Sequence, residues 1–372
     1  NQKKTTKKSF EISNILLKIL KFRRLLSKRY LCIDLGSSNI IISEVKYYNG
    51  SLNFNKIRKI ELPAEALDKG IPAEPNLMSD LIKQIIKEEN IYAIRTAISI
   101  SPDSVYTKLI EIPSKYNEDQ SLNYILDPYS PLQIPISLKQ TDFDISKTNI
   151  SIKSSSGEFD QYLLVSIPKK STDALIKTFN LSGQELNSID VGFNCQARLL
   201  ESSISKLKDK EYIVILELLS ECTHCTILDS RGPINLSRLS SIRDYPFKVN
   251  NKDIKSNDLL QYKSEKVNEE NYLPISNLDV KILSQEVIKS IKSFLSLYVD
   301  NFKCSVYLTG INSAHPNLTK VLGMSLGLET SLIDGLNSYG IGEVNYDPET
   351  IIDRSLGRLL GLALGLLNSN DQ

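Results

Sequence analysis

Two stretches about 180 residues apart carry the same pattern, and no other feature limits the chain as tightly. Residues 30–41, "YLCIDLGSSNII", are an apolar strand ending in an acidic residue, then a Gly-Ser-Ser-Asn loop, then apolar residues again. Residues 212–228, "YIVILELLSECTHCTIL", repeat the order: an apolar strand with Glu217 near its end, a polar loop and a returning strand. A further strand succeeds each, after Asn49-Gly50 in the first case and Ser230-Arg231-Gly232 in the second, both hairpin-turn chemistry. Each half is therefore expected to open as a three-stranded antiparallel meander.

Beyond each meander the pattern is mixed. In the first half, Leu77, Leu81, Ile85 and Ile86 recur at helical spacing, and "IRTAISI" and "VYTKLIEI" read as strands. The proline-punctuated "DPYSPLQIPISL" breaks the pattern before "QYLLVSIP", "STDALIKTFNLSG" and "LNSIDV" give strand, helix and strand. In the second half a polar insert, about 246–275, precedes a helix from about 280 to 300, the strand "CSVYLTG", a helix around "LTKVLGMSLG" and a last helix in "SLGRLLGLALGLL". The chain reads as a pseudo-duplicated α/β protein.

Composition excludes several classes. Residues 1–30 hold ten of the 45 Lys/Arg and one of the 44 Asp/Glu, which leaves the remainder net acidic and argues against nucleic-acid binding by the body. Within residues 13–29, Ile15, Ile19, Phe22 and Leu26 form an apolar stripe and Lys18, Lys21, Arg24 and Lys28 a basic one. This basic amphipathic helix suits an anionic membrane surface, a protein partner or packing on its own domain. No run approaches the ~20 apolar residues of a membrane span, and no signal peptide is visible, so a cytoplasmic location is expected.

The five cysteines are scattered in apolar segments, which suits reduced, buried thiols. Cys222-Thr223-His224-Cys225 is the one metal-like cluster. A second close pair is lacking, and on a strand Cys222 and Cys225 would face opposite ways, so the pattern alone favours a structural role. With only His224 and His315 present, a Ser-His-Asp mechanism is not supported.

Gly36, Ser37, Ser38 and Asn39 admit two readings. A polar loop between strands can aim N–H and O–H groups at phosphate oxygens; a tight hairpin can use glycine for positive φ. Asp34 adds weight to the first, because a carboxylate at the end of a buried strand needs a cation or donors. A magnesium ion held through water would serve.

The order of "IDLGSSN", "ISISPDSVYTKLIEIP", "YLLVSIPKK", "NSIDVGFNCQARLLES", "VYLTGINSAHPNLTKVLGMSLGLET" and "SLGRLLGLALG" resembles the type IV pilus assembly protein PilM family, actin-like ATPases related to the division protein FtsA. The likeness runs from about Tyr30 to Leu367. It implies an actin-like (ribonuclease H-like) two-lobed α/β fold with a small subdomain inserted in the first lobe. The expected divisions are a basic tail and helix (1–29), a first lobe (30–190, insertion about 95–165), a second lobe (191–350) and a C-terminal helix and tail (351–372).

The resemblance also implies ATP and Mg2+ between the lobes. Asp34 would stand near the metal, with Gly36, Ser37, Ser38 and Asn39 as the first phosphate loop. Glu217 would open the second, Glu286 and Lys289 would flank the nucleoside, and Gly310 would turn beneath it. Asp190 and Gln196 would mark the lobe junction. Three departures weaken that site: Ile41 replaces a customary lysine, Glu217-Leu218-Leu219 replaces Asp, an apolar residue and Gly, and Gly310-Ile311 replaces two glycines. Leu219 lacks glycine's freedom at positive φ and puts a branched side chain where phosphate would approach.

The expected function is a cytoplasmic adaptor, peripheral on the inner face of the plasma membrane, with ATP binding weakened or lost. It would bind a short peptide of a PilN-like inner-membrane protein, near Pro131, Ile134 and Pro135 at best, and other assembly and motor proteins are further candidate partners. Residues 13–29 would lie at the membrane surface. The alternatives are a weak actin-like ATPase and an FtsA-like membrane-associated filament or division protein. A sugar or acetate kinase on the same fold lacks a motif for a catalytic carboxylate of its own.

Overall fold

The computed structural model describes residues 29–48, 51–63, 65–155, 157–242, 275–333, 341–346 and 353–368. The expected N-terminal basic helix and the polar insert lie outside these residues.

The duplication is realised as two sheets of matching layout. The first is built from β1 (Arg29–Leu35), β2 (Asn39–Tyr48) and β3 (Ser51–Glu61). After the two-residue strands β4 (Leu67–Asp68) and β5 (Ile71–Pro72) and helix α1 (Pro75–Glu88) comes β6 (Arg95–Ile100). Next are β7 (Tyr106–Pro113), α2 (Glu118–Leu126), β8 (Thr141–Ser154) and β9 (Gly157–Pro168). Helix α3 (Lys169–Leu181), β10 (Glu185–Val191), α4 (Gly192–Leu199) and the short α5 (Glu201–Ile204) complete this half.

The second sheet draws on β11 (Glu211–Leu218), β12 (Thr223–Asp229) and β13 (Gly232–Leu239). Helix α6 (Asn277–Leu295), β14 (Lys303–Thr309), α7 (Leu318–Leu326) and β15 (Glu329–Leu332) come next. The described chain closes with β16 (Ile341–Tyr346) and α8 (Gly357–Asn368).

Strand order is β10-β6-β1-β2-β3-β16 in the first sheet and β13-β12-β11-β14-β15 in the second. In both, the opening meander is antiparallel, and the strands beyond its first member run parallel to it. Strand β16 pairs in parallel with β3, so the chain has returned to the first sheet by residue 341, and the second lobe ends before the expected residue 350. Strand β6 likewise belongs to the central sheet. The inserted subdomain is the three-stranded sheet β7-β9-β8 with α2, and it starts at residue 106 rather than about 95.

Period-2 alternation assigns each strand two faces. Leu31, Ile33 and Leu35 face outward onto Met78 and Ile82 of α1 and Leu175 and Phe179 of α3. Val214, Leu216 and Leu218 do the same against α6 and α7 in the second lobe. Cys32, Ile213 and Ile215 face inward onto a shared core filled by α4 and α8. A sheet buried on both faces needs apolar residues at nearly every position, as "YLCIDL" and "YIVILEL" supply. Asp34 and Glu217 take the inward phase, so both carboxylates are aimed at the lobe junction.

Local chemistry sets the element ends. Helix α2 starts in a capping box: Asn117 Oδ1 accepts from Gln120 N at 2.9 Å, and Gln120 Oε1 accepts from Asn117 N at 3.0 Å. Helix α6 starts where Ser276 Oγ accepts from Asp279 N at 3.3 Å. The inserted subdomain also meets the second lobe. Asn149 N donates to Asp229 Oδ2 at 2.6 Å, and Ile150 packs into the second lobe's core.

Candidate functional site

A cleft of about 250 Å³ opens between the lobes, lined among others by Asp34, residues 36–39, Lys59, Asp103, Glu217, Leu219, Glu221, Cys222, Gly310 and Arg358. A larger open hollow of about 700 Å³, beside Phe302 and Leu328, holds none of the expected site residues.

The two loops that face the cleft are closed turns. Gly36 N donates to Asn39 O at 2.9 Å. Gly36 does not take positive φ; its glycine is required because a Cβ would lie 2.8 Å from Asn39 O. Leu219 also avoids positive φ, which is how a leucine fits there. Its N–H donates to Cys222 O at 3.0 Å, and its carbonyl accepts from Asn312 Nδ2 at 3.2 Å. The loops meet across the cleft where Ser37 Oγ donates to Glu221 Oε1 at 3.0 Å. Gly310 has φ of 86°, and a Cβ there would be 2.6 Å from Leu218 O, so this glycine lets two backbones touch.

The centre of the cleft is an ion network. Arg358, from α8, donates through Nε to Glu217 Oε1 at 2.7 Å and through Nη2 to Glu217 Oε2 at 2.6 Å. This is a bidentate fork on a carboxylate, and both side chains are nearly sealed from solvent, at 6% and 5% exposure. Glu217 pairs across the hairpin with His224, whose Nδ1 lies 3.1 Å from Glu217 Oε2. His224 Nε2 lies 3.2 Å from Asp103 Oδ1 of the first lobe and 3.5 Å from Cys222 Sγ.

Burial opposes the Glu217 charge, but Arg358 and the His224 hydrogen bond overcome it and hold the carboxyl pKa at about 2. Burial also opposes charge on His224, yet Cys222 and Glu217 push its pKa up to about 10.

Asp34 stands differently. Its Oδ1 is buried and makes no hydrogen bond of normal geometry among the described residues. Burial raises its pKa to about 6 despite the nearby Arg358 charge, and the Glu217 charge adds to the rise. A folded value above the unfolded 3.8 means a penalty that develops as pH rises from about 3.8 to 6 and is complete above 6. Asp34→Asn is therefore expected to stabilise the protein at pH 7.5 by roughly 3 kcal/mol and to give little gain near pH 4. Thermal melts of both proteins at the two pH values check this.

Lys59 was not among the sequence candidates. It sits directly opposite Ile41 in the β2–β3 register, so both side chains share a face, and it lines the cleft while paired with Glu61 at 2.9 Å. A cation is thus present one strand over from the place where the resemblance leads one to expect lysine. Arg358 was also missed, since in sequence it is one basic residue in an apolar helix. Only its phase relative to Gly357 and Gly361 hinted at the lobe-facing side.

The structure gathers Asp34, Gly36, Ser37, Ser38, Asn39, Glu217 and Gly310 in this cleft. Glu286 and Lys289 line an adjoining groove that shares Glu221 with it. Both Glu286 oxygens accept from Ser240, from its N–H and its hydroxyl, at 2.8 Å. Asp190 lies near the end of β10, just before α4, and Gln196 lies within α4. Asp190 is ion-paired with Arg198, and Gln196 is buried.

The family model for the type IV pilus assembly protein PilM matches residues 32–364. No curated protein sequence matches the chain. Among solved structures, a PilM–PilN type IV pilus biogenesis complex is similar with a TM-score of 0.65 and 16% identity, over 91% of this chain and 98% of that one. MreB5 of Spiroplasma citri bound to ADP is similar with a TM-score of 0.44 and 11% identity, over 93% and 99% of the two chains. The ethanolamine utilization protein EutJ from Carboxydothermus hydrogenoformans gives 0.43 and 10%, over 90% and 89%. The first of these likenesses shows the actin-like fold.

Proposed function

Because the chain belongs to the type IV pilus assembly protein PilM family, we propose that it is a cytoplasmic adaptor that binds a short peptide of a PilN-like inner-membrane protein, with ATP binding weakened or lost. The observation that carries the reading is Arg358. Its guanidinium occupies both oxygens of Glu217 inside the cleft, so the group that would face a hydrated magnesium ion across from Asp34 is already neutralised. The residues present do not suit Mg2+ there. The cleft loops spend Gly36 N–H and Leu219 N–H on their own turns, which leaves fewer donors for phosphate. What remains is a clasp between lobes, suited to presenting a surface rather than turning over a substrate.

The partner half of the reading is supported by the likeness to the PilM–PilN complex. Between α2 and β8 of the inserted subdomain, Tyr129 is 93% exposed and Pro131 and Pro135 are exposed, while Ile134 packs partly buried against the subdomain's core. Among the described residues no helix is long and apolar enough to cross a membrane. Membrane contact, in this reading, falls to residues 13–29, at about 1 kcal/mol per Lys/Arg near an anionic surface.

One observation favours a second reading, a weak actin-like ATPase: Lys59 returns a cation to the cleft opposite Ile41. Calorimetry with MgATP separates the two. The adaptor reading expects weak binding heat or none at millimolar nucleotide and no turnover; absence of binding would sink the ATPase, while turnover abolished by Asp34→Ala would establish it. Co-purification of the tagged chain, with and without residues 1–29, is expected to recover pilus inner-membrane proteins; recovery of division proteins instead would overturn the adaptor.

A further inference from the structure

We propose that Asp103, Cys222 and His224 form a zinc site that ties the two lobes together. The sequence offered only the Cys222-to-Cys225 cluster, and Cys225 does face away, into the second lobe's core. The fold supplies the missing ligand from the other lobe. Asp103 sits on the 3-10 turn Pro102–Ser104, fixed by Ser101 Oγ accepting from Asp103 N at 3.3 Å and by Ser104 Oγ donating to Ser101 O at 2.6 Å.

The ligand atoms of all three residues lie within 4.8 Å of one another, and they form the sole such His/Cys/Asp/Glu group among the described residues. The two edges that meet at His224 Nε2 match those of a zinc tetrahedron. Zn–S near 2.3 Å and Zn–N and Zn–O near 2.0–2.1 Å imply an S···N edge of about 3.6 Å and an N···O edge of about 3.3 Å. The observed edges are 3.5 Å for Cys222 Sγ to His224 Nε2 and 3.2 Å for His224 Nε2 to Asp103 Oδ1.

The surroundings fit as well. Glu217 accepts from His224 Nδ1, the carboxylate–histidine arrangement that orients imidazole on zinc, and Arg358 holds Glu217 in turn. Cys222 and Asp103 line the cleft, so a fourth position opens toward solvent for water. Arg238 Nε, 3.4 Å from Asp103 Oδ1, brings an opposing charge, but its side chain is 58% exposed and can swing away. A soft thiolate, an imidazole and one carboxylate select zinc over magnesium or calcium. Binding releases the thiol proton of Cys222 and the proton on His224 Nε2.

The full chain, reduced and stripped of metal, is titrated with Co2+ as a spectroscopic probe and then with Zn2+. The expected result is one equivalent bound, with the visible bands of tetrahedral cobalt and a thiolate charge-transfer band, both displaced by Zn2+. Cys222→Ser is expected to remove the charge-transfer band and weaken binding about 100-fold or more. Asp103→Asn, a near-isosteric change on a partly exposed turn, should weaken it by at least the ~10-fold that losing even an outer-shell partner costs, and Cys304→Ser should bind as the parent does. Zn2+ should raise the melting temperature of the parent and not of Cys222→Ser. Absence of the cobalt spectrum in several-fold excess metal, or unchanged binding in folded Asp103→Asn, overturns the proposal.

Discussion

Arg358→Met is expected to destabilise the protein by about 3–5 kcal/mol, because it leaves Glu217 buried without its guanidinium and takes the nearest positive charge from Asp34. Methionine nearly keeps the volume, so the loss reports charge rather than a cavity. Pairing the change with Glu217→Leu is expected to restore only part of the stability: replacing a buried ion pair with apolar groups of similar size is often neutral or favourable, but here His224 Nδ1 loses its acceptor and Asp34 still lacks its cation. Urea unfolding of the two single variants and the double variant gives the coupling directly. Equal and additive losses would mean that Arg358 acts through packing against Gly192, whose Cβ position lies 2.7 Å from Arg358 Nε.

Among the described glycines, Gly361→Ala is expected to be the most damaging substitution by alanine. An ideal Cβ at Gly361 falls 1.8 Å from Cys195 O, a backbone atom of α4 that cannot rotate aside. Helix propensity pulls the other way by about 1 kcal/mol, so a purely local view predicts stabilisation. Packing should win, with a net loss of roughly 3 kcal/mol, because α8 and α4 together form the shared core and neither can withdraw without opening it. Gly357→Ala is the control on the same face. Its Cβ would meet the Thr309 hydroxyl at 3.2 Å, and a small adjustment suffices. Denaturant midpoints of the two variants should separate clearly; similar midpoints would mean that α8 can slide along α4.

Much of the fold could be read from the chain because its two halves repeat one local grammar. Apolar strands, hairpin turns and helical spacing are short-range signals, and the meanders at Tyr30 and Tyr212 formed as their patterns indicate. The limits of the inserted subdomain were less legible, because "IRTAISI" and "VYTKLIEI" are equally good strands and only register tells which sheet takes each. Strand β16 was invisible for the same reason: nothing local says that residues 341–346 rejoin the sheet that opens at residue 29.

The candidate site divides along the same line. Alternation along β1 and β11 already set Asp34 and Glu217 on the inward face, since strand side chains change face at every residue. The occupant of the space between them was decided by the tertiary structure. Arg358 stands 141 residues from Glu217, and Asp103 stands 121 residues from His224. Such pairs leave no periodicity, because their attraction strengthens enough to offset desolvation only where both charges leave water together, and that happens only after two lobes, each folded on its own pattern, close over α4 and α8.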